Sequence, residues 1–107
     1  MLTREEILAK AVDQEVVTLP SGGTVKVRGL TRDEAMEVRK RPDDAARDNY
    51  MIATGMVEPV LSEDDVALWA TTAPAGDSVE ITRAIGRLSG MVEGAGKSGP
   101  SRSRRRS

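Results

Sequence analysis

A short phrase returns three times along the chain and predicts where helices begin. It reads LTREE at residues 2–6, LTRDE at residues 30–34 and LSEDD at residues 61–65. In each copy a Thr or Ser precedes an acidic residue by three positions, which is the spacing of a capping box. The hydroxyl caps free N–H groups of the first turn, and the acidic residues favour the positive end of the helix dipole. The phrase therefore predicts three helix starts.

The third copy also has a second interpretation, because it carries three acidic residues in a row. Glu63, Asp64 and Asp65 could form a catalytic or metal-binding carboxylate cluster. Consecutive residues of a helix point in different directions, however, and no other candidate ligand lies nearby in the sequence. Capping accounts for these residues more simply, so no metal site is predicted.

A β-hairpin is predicted near the N-terminus. The segments EVVTL at residues 15–19 and TVKVRG at residues 24–29 flank the turn PSGG. Val25 and Val27 alternate with Lys26 and Arg28, which is the period of a half-buried strand. Because an isolated two-stranded hairpin is only marginally stable, we expect it to lie on a helix.

Four or five short helices complete the prediction. The first is expected at about residues 4–12, with Ile7, Leu8 and Ala11 on one side, and the second at residues 32–41. The third is expected at residues 44–54, with Gly55 as its C-terminal cap, and the fourth from Ser62 to before Pro74. The last is expected to be capped by Asp77, with Glu80 as the reciprocal partner, and to close at Gly90. One hairpin and these helices predict a small, mostly helical α+β domain. Phe is absent, and there is one Trp and one Tyr, so the core must be thin.

The charge of the chain is divided unevenly. The net charge is −1, but the chain from Lys97 onward has five basic residues and no acidic one, which leaves 11 basic against 17 acidic residues, a net of −6, before it. Residues 93–107 are mostly Gly, Ser, Pro and Arg, and such a composition predicts disorder. We therefore expect a domain at residues 1–92 and a disordered basic tail at residues 93–107.

Nucleic acid is one partner that this basic tail could bind. The tail could neutralise a few phosphates through Arg102, Arg104, Arg105 and Arg106. The acidic body and its near absence of aromatic residues argue against more than weak, salt-sensitive binding. A solvated terminus that keeps the protein in solution is the simpler interpretation.

Composition gives little support for catalysis. The chain has neither Cys nor His, so it lacks disulfides, thiolate chemistry and the commonest general base and metal ligand. The segment GMVEGAGKS ends like a phosphate-binding loop, but Gly90 and Gly94 miss the required spacing. No catalytic residue, cofactor or metal is predicted. No apolar run is long enough to span a membrane, and residues 1–10 lack the apolar block of a signal peptide, which predicts a cytoplasmic protein.

The segment GMVEPVLS at residues 55–62 is unusually apolar for a connection between helices. It either crosses the core as a buried linker or offers an apolar surface to a partner, and Trp69 has the same ambiguity. If the surface interpretation holds, the partner-binding residues are Met56, Val57, Val60, Leu61 and Trp69.

Several patterns occur in a definite order along residues 16–90. A strand leads into LTRDE, then TGMVEPVLSEDDVALW follows, and then GDSVEITRAIGRLSG. This order resembles that of the small tail assembly chaperones of long-tailed bacteriophages. The resemblance implies a non-catalytic protein of the host cytoplasm that binds the tape measure protein, keeps it soluble and helps tail tube subunits to polymerise around it.

Two alternatives to this chaperone function stay open. One is a small nucleic-acid-associated regulator that uses the Arg-rich tail, and the other is an adaptor subunit that remains in a mature particle. Self-association of the protein is also left open.

Overall fold

The computed structural model describes residues 1–90 of the 107. In chain order the elements are α1 (Arg4–Ala9), β1 (Gln14–Thr18), β2 (Thr24–Arg28), α2 (Arg32–Lys40), α3 (Asp44–Gly55), β3 (Met56–Glu58), α4 (Glu63–Trp69) and α5 (Ala75–Leu88). The predicted α+β class with an N-terminal hairpin is confirmed. The predicted domain boundary at residue 92, the basic tail and the GKS segment lie outside the described residues.

The three predicted capping boxes are confirmed. The backbone N–H of Glu6 donates to the Thr3 hydroxyl, and the Glu6 carboxylate accepts from the backbone N–H of Thr3. The same reciprocal pair of bonds joins Thr31 with Glu34 and Ser62 with Asp65. Helices α1, α2 and α4 each begin at the residue after the cap. The repeated phrase therefore marks helix starts.

The hairpin is confirmed, and the sheet has one strand more than the sequence predicted. Strand β1 pairs antiparallel with β2, from Gln14 opposite Arg28 to Thr18 opposite Thr24. Strand β3 adds to the other side of β2, so the order is β1-β2-β3. Three residues are too few to show the alternation by which a strand is recognised, and this is why β3 was missed.

Helix α5 lies on one face of the sheet and contacts β1, β2 and α3. The hairpin thus rests on a helix, as predicted. The core between these elements is entirely aliphatic apart from one methionine, and its members are Val17, Val27, Leu30, Ile52, Met56, Val66, Ile81, Ala84 and Ile85.

Gly55 does not form the predicted C-terminal cap. It is the last residue of α3, its φ is not positive, and Met56 takes the cap position. A β-carbon at Gly55 would lie only 2.6 Å from Cδ1 of Ile85. The glycine therefore permits a close approach between α3 and α5, instead of providing a left-handed turn.

Helix α1 is shorter than predicted and contributes no buried residue. It ends at Ala9 instead of about Val12. The apolar side that was expected to pack on the body is largely exposed, with Ile7 at 57% and Leu8 at 68%. Within residues 1–90 this six-residue helix has no buried residue and its capping box is its main support, which fits its early end.

The predicted cap of α5 is also wrong. The helix begins at Ala75, two residues before Asp77, and Pro74 occupies the N-cap without a side-chain bond. Asp77 is instead 3% exposed, and its carboxylate accepts hydrogen bonds from the backbone N–H and the hydroxyl of Ser21 in the hairpin turn. The predicted close of the helix at Gly90 is confirmed, with a φ of +75° there.

Glu34 has a second function beyond its capping box. Its carboxylate accepts two hydrogen bonds from the Arg28 guanidinium, at 2.9 and 3.0 Å, which tie α2 to the end of β2. This pairing with Arg28 lowers the pKa of Glu34 to about 2 and raises that of Arg28. The pair is about three-quarters buried, so solvent screens it less than it screens a surface ion pair.

The cap of α2 can be tested by Thr31→Ala. Loss of the hydroxyl removes one capping bond, and we expect the free energy of unfolding to fall by about 1 kcal/mol. The matched change Thr3→Ala should have a smaller effect, because α1 is exposed and can fray without opening the core. Urea denaturation of both variants measures the difference, and equal effects would contradict this account.

The Arg28–Glu34 pair predicts a dependence of stability on pH. Because the pKa of Glu34 is lower in the folded protein than in the unfolded chain, its contribution is full above about pH 5 and disappears as the pH falls towards 2. We expect the contribution at neutral pH to be on the order of 2 kcal/mol. Glu34→Gln should lower stability at pH 7 and flatten the decline in acid, as measured by urea denaturation at several pH values.

Candidate partner-binding groove

An open apolar groove of about 210 Å³ lies between the inner face of the sheet, α4 and α5. All of the side chains that line it are apolar, and they are Leu19, Val25, Met56, Pro59, Leu61, Trp69 and Ile81. None of them titrates, so this site offers shape and hydrophobic contact but no acid–base chemistry. A surface of this kind suits the binding of an apolar segment.

Helix α4 forms one wall of the groove. It packs mainly against α3 and not against the sheet, so a gap remains between α4 and the sheet. The start of α4 is held by Arg41, whose guanidinium bonds to Glu63 at 3.3 Å and lies 4.4 Å from the centre of the Tyr50 ring. Val66 is buried against the core, whereas Trp69, on the last turn, is only half-buried. The groove thus opens beside the last turn of α4, where Trp69 packs only in part against the core.

The other end of the groove is held by the hydrogen bonds between Ser21 and Asp77. Ser21 lies two residues after Leu19 in the hairpin, and Asp77 lies one turn before Ile81 in α5. Both oxygens of the buried carboxylate are satisfied by the turn, as a buried charged group requires. This clamp therefore sets the distance between two lining residues, Leu19 and Ile81.

Three of the five residues predicted to bind a partner meet in this groove. Met56, Leu61 and Trp69 line it, although Met56 is mostly buried and forms its floor. Val57 and Val60 do not line it. Val57 follows Met56 in β3, so its half-buried side chain points to the opposite face of the sheet. Val60 stands between two lining residues, Pro59 and Leu61, and is 84% exposed.

The apolar segment at residues 55–62 is therefore neither a buried linker throughout nor a free surface throughout. Its first part is a core strand, and its second part is the rim of the groove. The sequence did not predict four of the lining residues, which are Leu19, Val25, Pro59 and Ile81. Val25 and Ile81 belong to apolar patterns that the sequence does show, but the patterns give no sign that these residues converge.

The acidic residues at the start of α4 serve the helix and its neighbours. Asp65 completes the capping box with Ser62, Glu63 bonds to Arg41, and Asp64 is exposed. Within residues 1–90 no group of three potential ligands could hold a metal ion. The same part of the chain contains no helix that is both long and apolar enough to cross a membrane.

Comparisons with known proteins give no match. No protein-family model matches this sequence, and no curated protein or solved structure was found to be similar to it.

The Ser21–Asp77 clamp can be tested by Asp77→Ala. This change leaves two donors of the hairpin turn without their acceptor and should lower the free energy of unfolding by about 2–3 kcal/mol. Asp77→Asn keeps one acceptor oxygen and is expected to lose less. Chemical denaturation gives the stabilities. If Asp77→Ala were neutral, Asp77 would not hold the turn.

Proposed function

We propose that the protein is a non-catalytic chaperone of phage tail assembly, which holds an apolar helical segment of the tape measure protein in the groove beside Trp69. The observation that carries this proposal is the open, wholly apolar groove, whose rim is formed by Pro59, Val60 and Leu61. Work of this kind requires reversible binding of an apolar segment, and it requires no catalytic group.

The size and the lining of the groove support a helical client. A volume of about 210 Å³ accommodates one or two large aliphatic side chains, such as those that successive turns of an amphipathic helix present on one face. The unbranched Met56 at the floor can adapt to side chains of different shape. A repetitive helical client offers many similar stretches, and an adaptable groove can hold any of them.

The negative charge of the described part favours a client that carries basic residues. Residues 1–90 carry 11 basic and 16 acidic residues, a net of −5, and Glu58 and Asp64 are exposed close to the groove in sequence. A client helix with basic residues beside its apolar stripe would therefore be favoured. Client binding should weaken as the salt concentration rises, but it should persist through its apolar part.

The resemblance to tail assembly chaperones supports the same proposal from the sequence side. It covers the hairpin, the rim segment and α5, which are the elements that form the groove. It also implies the tail tube protein as a second partner and the host cytoplasm as the location. Absent His and Cys residues favour a binding protein over an enzyme.

The alternative of a nucleic-acid-associated regulator has weaker support. It depends on Arg102, Arg104, Arg105 and Arg106, which lie outside the described residues. The described body is acidic, and an acidic surface repels the phosphate backbone. The groove also lacks the paired aromatic residues on which bases would stack.

The proposal is tested by Val60→Asp in cells that co-express the tape measure protein. Val60 is exposed, so the variant should fold as judged by circular dichroism, but the charge at the rim should disfavour an apolar client. We expect less soluble tape measure protein and little recovery in a pull-down. Val79→Asp is the matched control, because Val79 is exposed on α5 and points away from Ile81. Equal recovery with both variants would place the client elsewhere.

Binding in the groove can be measured directly by the fluorescence of Trp69, which is the only tryptophan of the chain. Addition of an amphipathic helical peptide from the tape measure protein should shift its emission to shorter wavelength, because the client covers the half-exposed indole. The Val60→Asp variant should need about tenfold more peptide for the same shift.

A further inference from the structure

Strand β1 has a free edge. Gly29 donates to the carbonyl of Asp13 at 3.0 Å, and Leu19 donates to the carbonyl of Gly23 at 2.9 Å. With the antiparallel register of β1 and β2, these bonds assign the odd-numbered residues of β1 to hydrogen-bonded pairs with β2. The N–H and C=O groups of Gln14, Val16 and Thr18 therefore point away from the sheet. Within residues 1–90 none of these groups has a hydrogen-bond partner.

The other edge of the sheet is protected in the usual way. Strand β3 has three residues, its pairing with β2 is irregular, and Pro59 follows directly. Short strands, irregular pairing and proline all prevent association of edges. Strand β1 has five residues in regular register, no proline and a single charged residue, Glu15, which bonds to Arg87 of α5. Nothing in the described part of the chain protects this edge from pairing with another strand.

The side chains on the outer face of β1 fit a second strand. Val16 is 62% exposed and stands between the exposed residues Gln14 and Thr18. An exposed valine between two uncharged polar residues on a free edge is an apolar contact without a partner. Such a strand pairs well with a strand of similar character.

We propose that two copies of this chain associate by antiparallel pairing of their β1 strands, with the two-fold axis at Val16. In this register Val16 faces Val16 of the second copy, and Gln14 faces Thr18 of the second copy. All three residues with free backbone groups then fall in hydrogen-bonded pairs, each of which exchanges two bonds. The two sheets become one continuous sheet, and the interface is isologous, as in most dimers.

Charge and backbone chemistry select this register over its neighbours. A shift by two residues in one direction sets Glu15 directly opposite Glu15 of the second copy, and like charges there are destabilising. A shift in the other direction sets Gln14 opposite Pro20 of the second copy, which has no N–H to donate. The register centred on Val16 has neither defect, because Glu15 faces the uncharged Val17 of the second copy. The strand is thus complementary to itself, which favours a second copy over an unrelated strand.

Helix α1 adds apolar area to the same contact. In the proposed register Asp13 faces Leu19 of the second copy, so the chain before Asp13 continues past the hairpin turn of that copy. Residues 10–13 join it to α1, whose Ile7 and Leu8 are largely exposed in the described part of the chain. A strand pair alone buries less area than a stable dimer needs, so in the proposed dimer α1 also packs on the second copy.

The test is the molar mass of the full chain in solution, measured by sedimentation equilibrium over a range of protein concentrations. We expect the mass to rise from 11.5 kDa towards twice that value as the concentration increases. Val16→Glu should weaken the dimer roughly tenfold or more, because two carboxylates meet at the axis. The monomer should tolerate this change, since position 16 lies opposite Lys26 in the hairpin. Val16→Thr is the control and should dimerise like the parent chain.

A charge exchange makes the test specific for the axis. Val16→Lys alone should also be monomeric, whereas an equimolar mixture of Val16→Glu and Val16→Lys chains should recover the dimer mass. Circular dichroism confirms that both variants are folded. The proposal is overturned if the parent chain keeps the mass of one copy at every concentration, if Val16→Glu dimerises like Val16→Thr, or if the mixture stays monomeric. This result does not depend on the client, so it stands or falls separately from the chaperone function.

Discussion

The contact between Ile85 of α5 and Gly55 of α3 is the constraint on which the rest of the structure depends. The chain has no Phe, so its core must be filled by small aliphatic side chains. Such a core is dense only if the backbones come close together. A β-carbon at Gly55 would lie 2.6 Å from Ile85, and one at Gly29 would lie 2.5 Å from the carbonyl oxygen of Leu88. Glycines at these two places allow α5 to lie directly on α3 and on the sheet.

The same scarcity of large side chains explains the groove. Where α4 leaves α3, Trp69 lines a space of about 210 Å³ together with Met56 and Ile81. Filling this space with a client would complete a core that the chain does not complete alone. Binding would then also stabilise the protein, because a ligand that binds only the folded state shifts the folding equilibrium. The thin core and the proposed function thus have one physical origin.

The elements that could be predicted are those specified by neighbours in sequence. Capping boxes connect residues three apart, and the hairpin follows from an alternation over a few residues and its turn. The features that the sequence predicted wrongly depend instead on residues that are far apart in the sequence. Asp77 has the spacing of a cap but bonds to Ser21, which is 56 residues away. Gly55 stands where a helix cap is common but serves a contact with Ile85. Met56 and Leu61 line the groove and lie in the connection whose apolar excess is visible in the sequence, whereas Trp69 lines it from the last turn of α4.

The sequence by itself determined the capped starts of α1, α2 and α4, the hairpin, the α+β class and the absence of His and Cys, since each depends on local spacing or on composition. Only the tertiary structure decided that β3 joins the sheet, that Leu19, Val25 and Ile81 meet Trp69, and that β1 lies at an edge of the sheet. These features depend on which distant segments come into contact. Which segments come into contact depends on strand pairing and close packing throughout the chain, so it cannot be read from the sequence of any one segment.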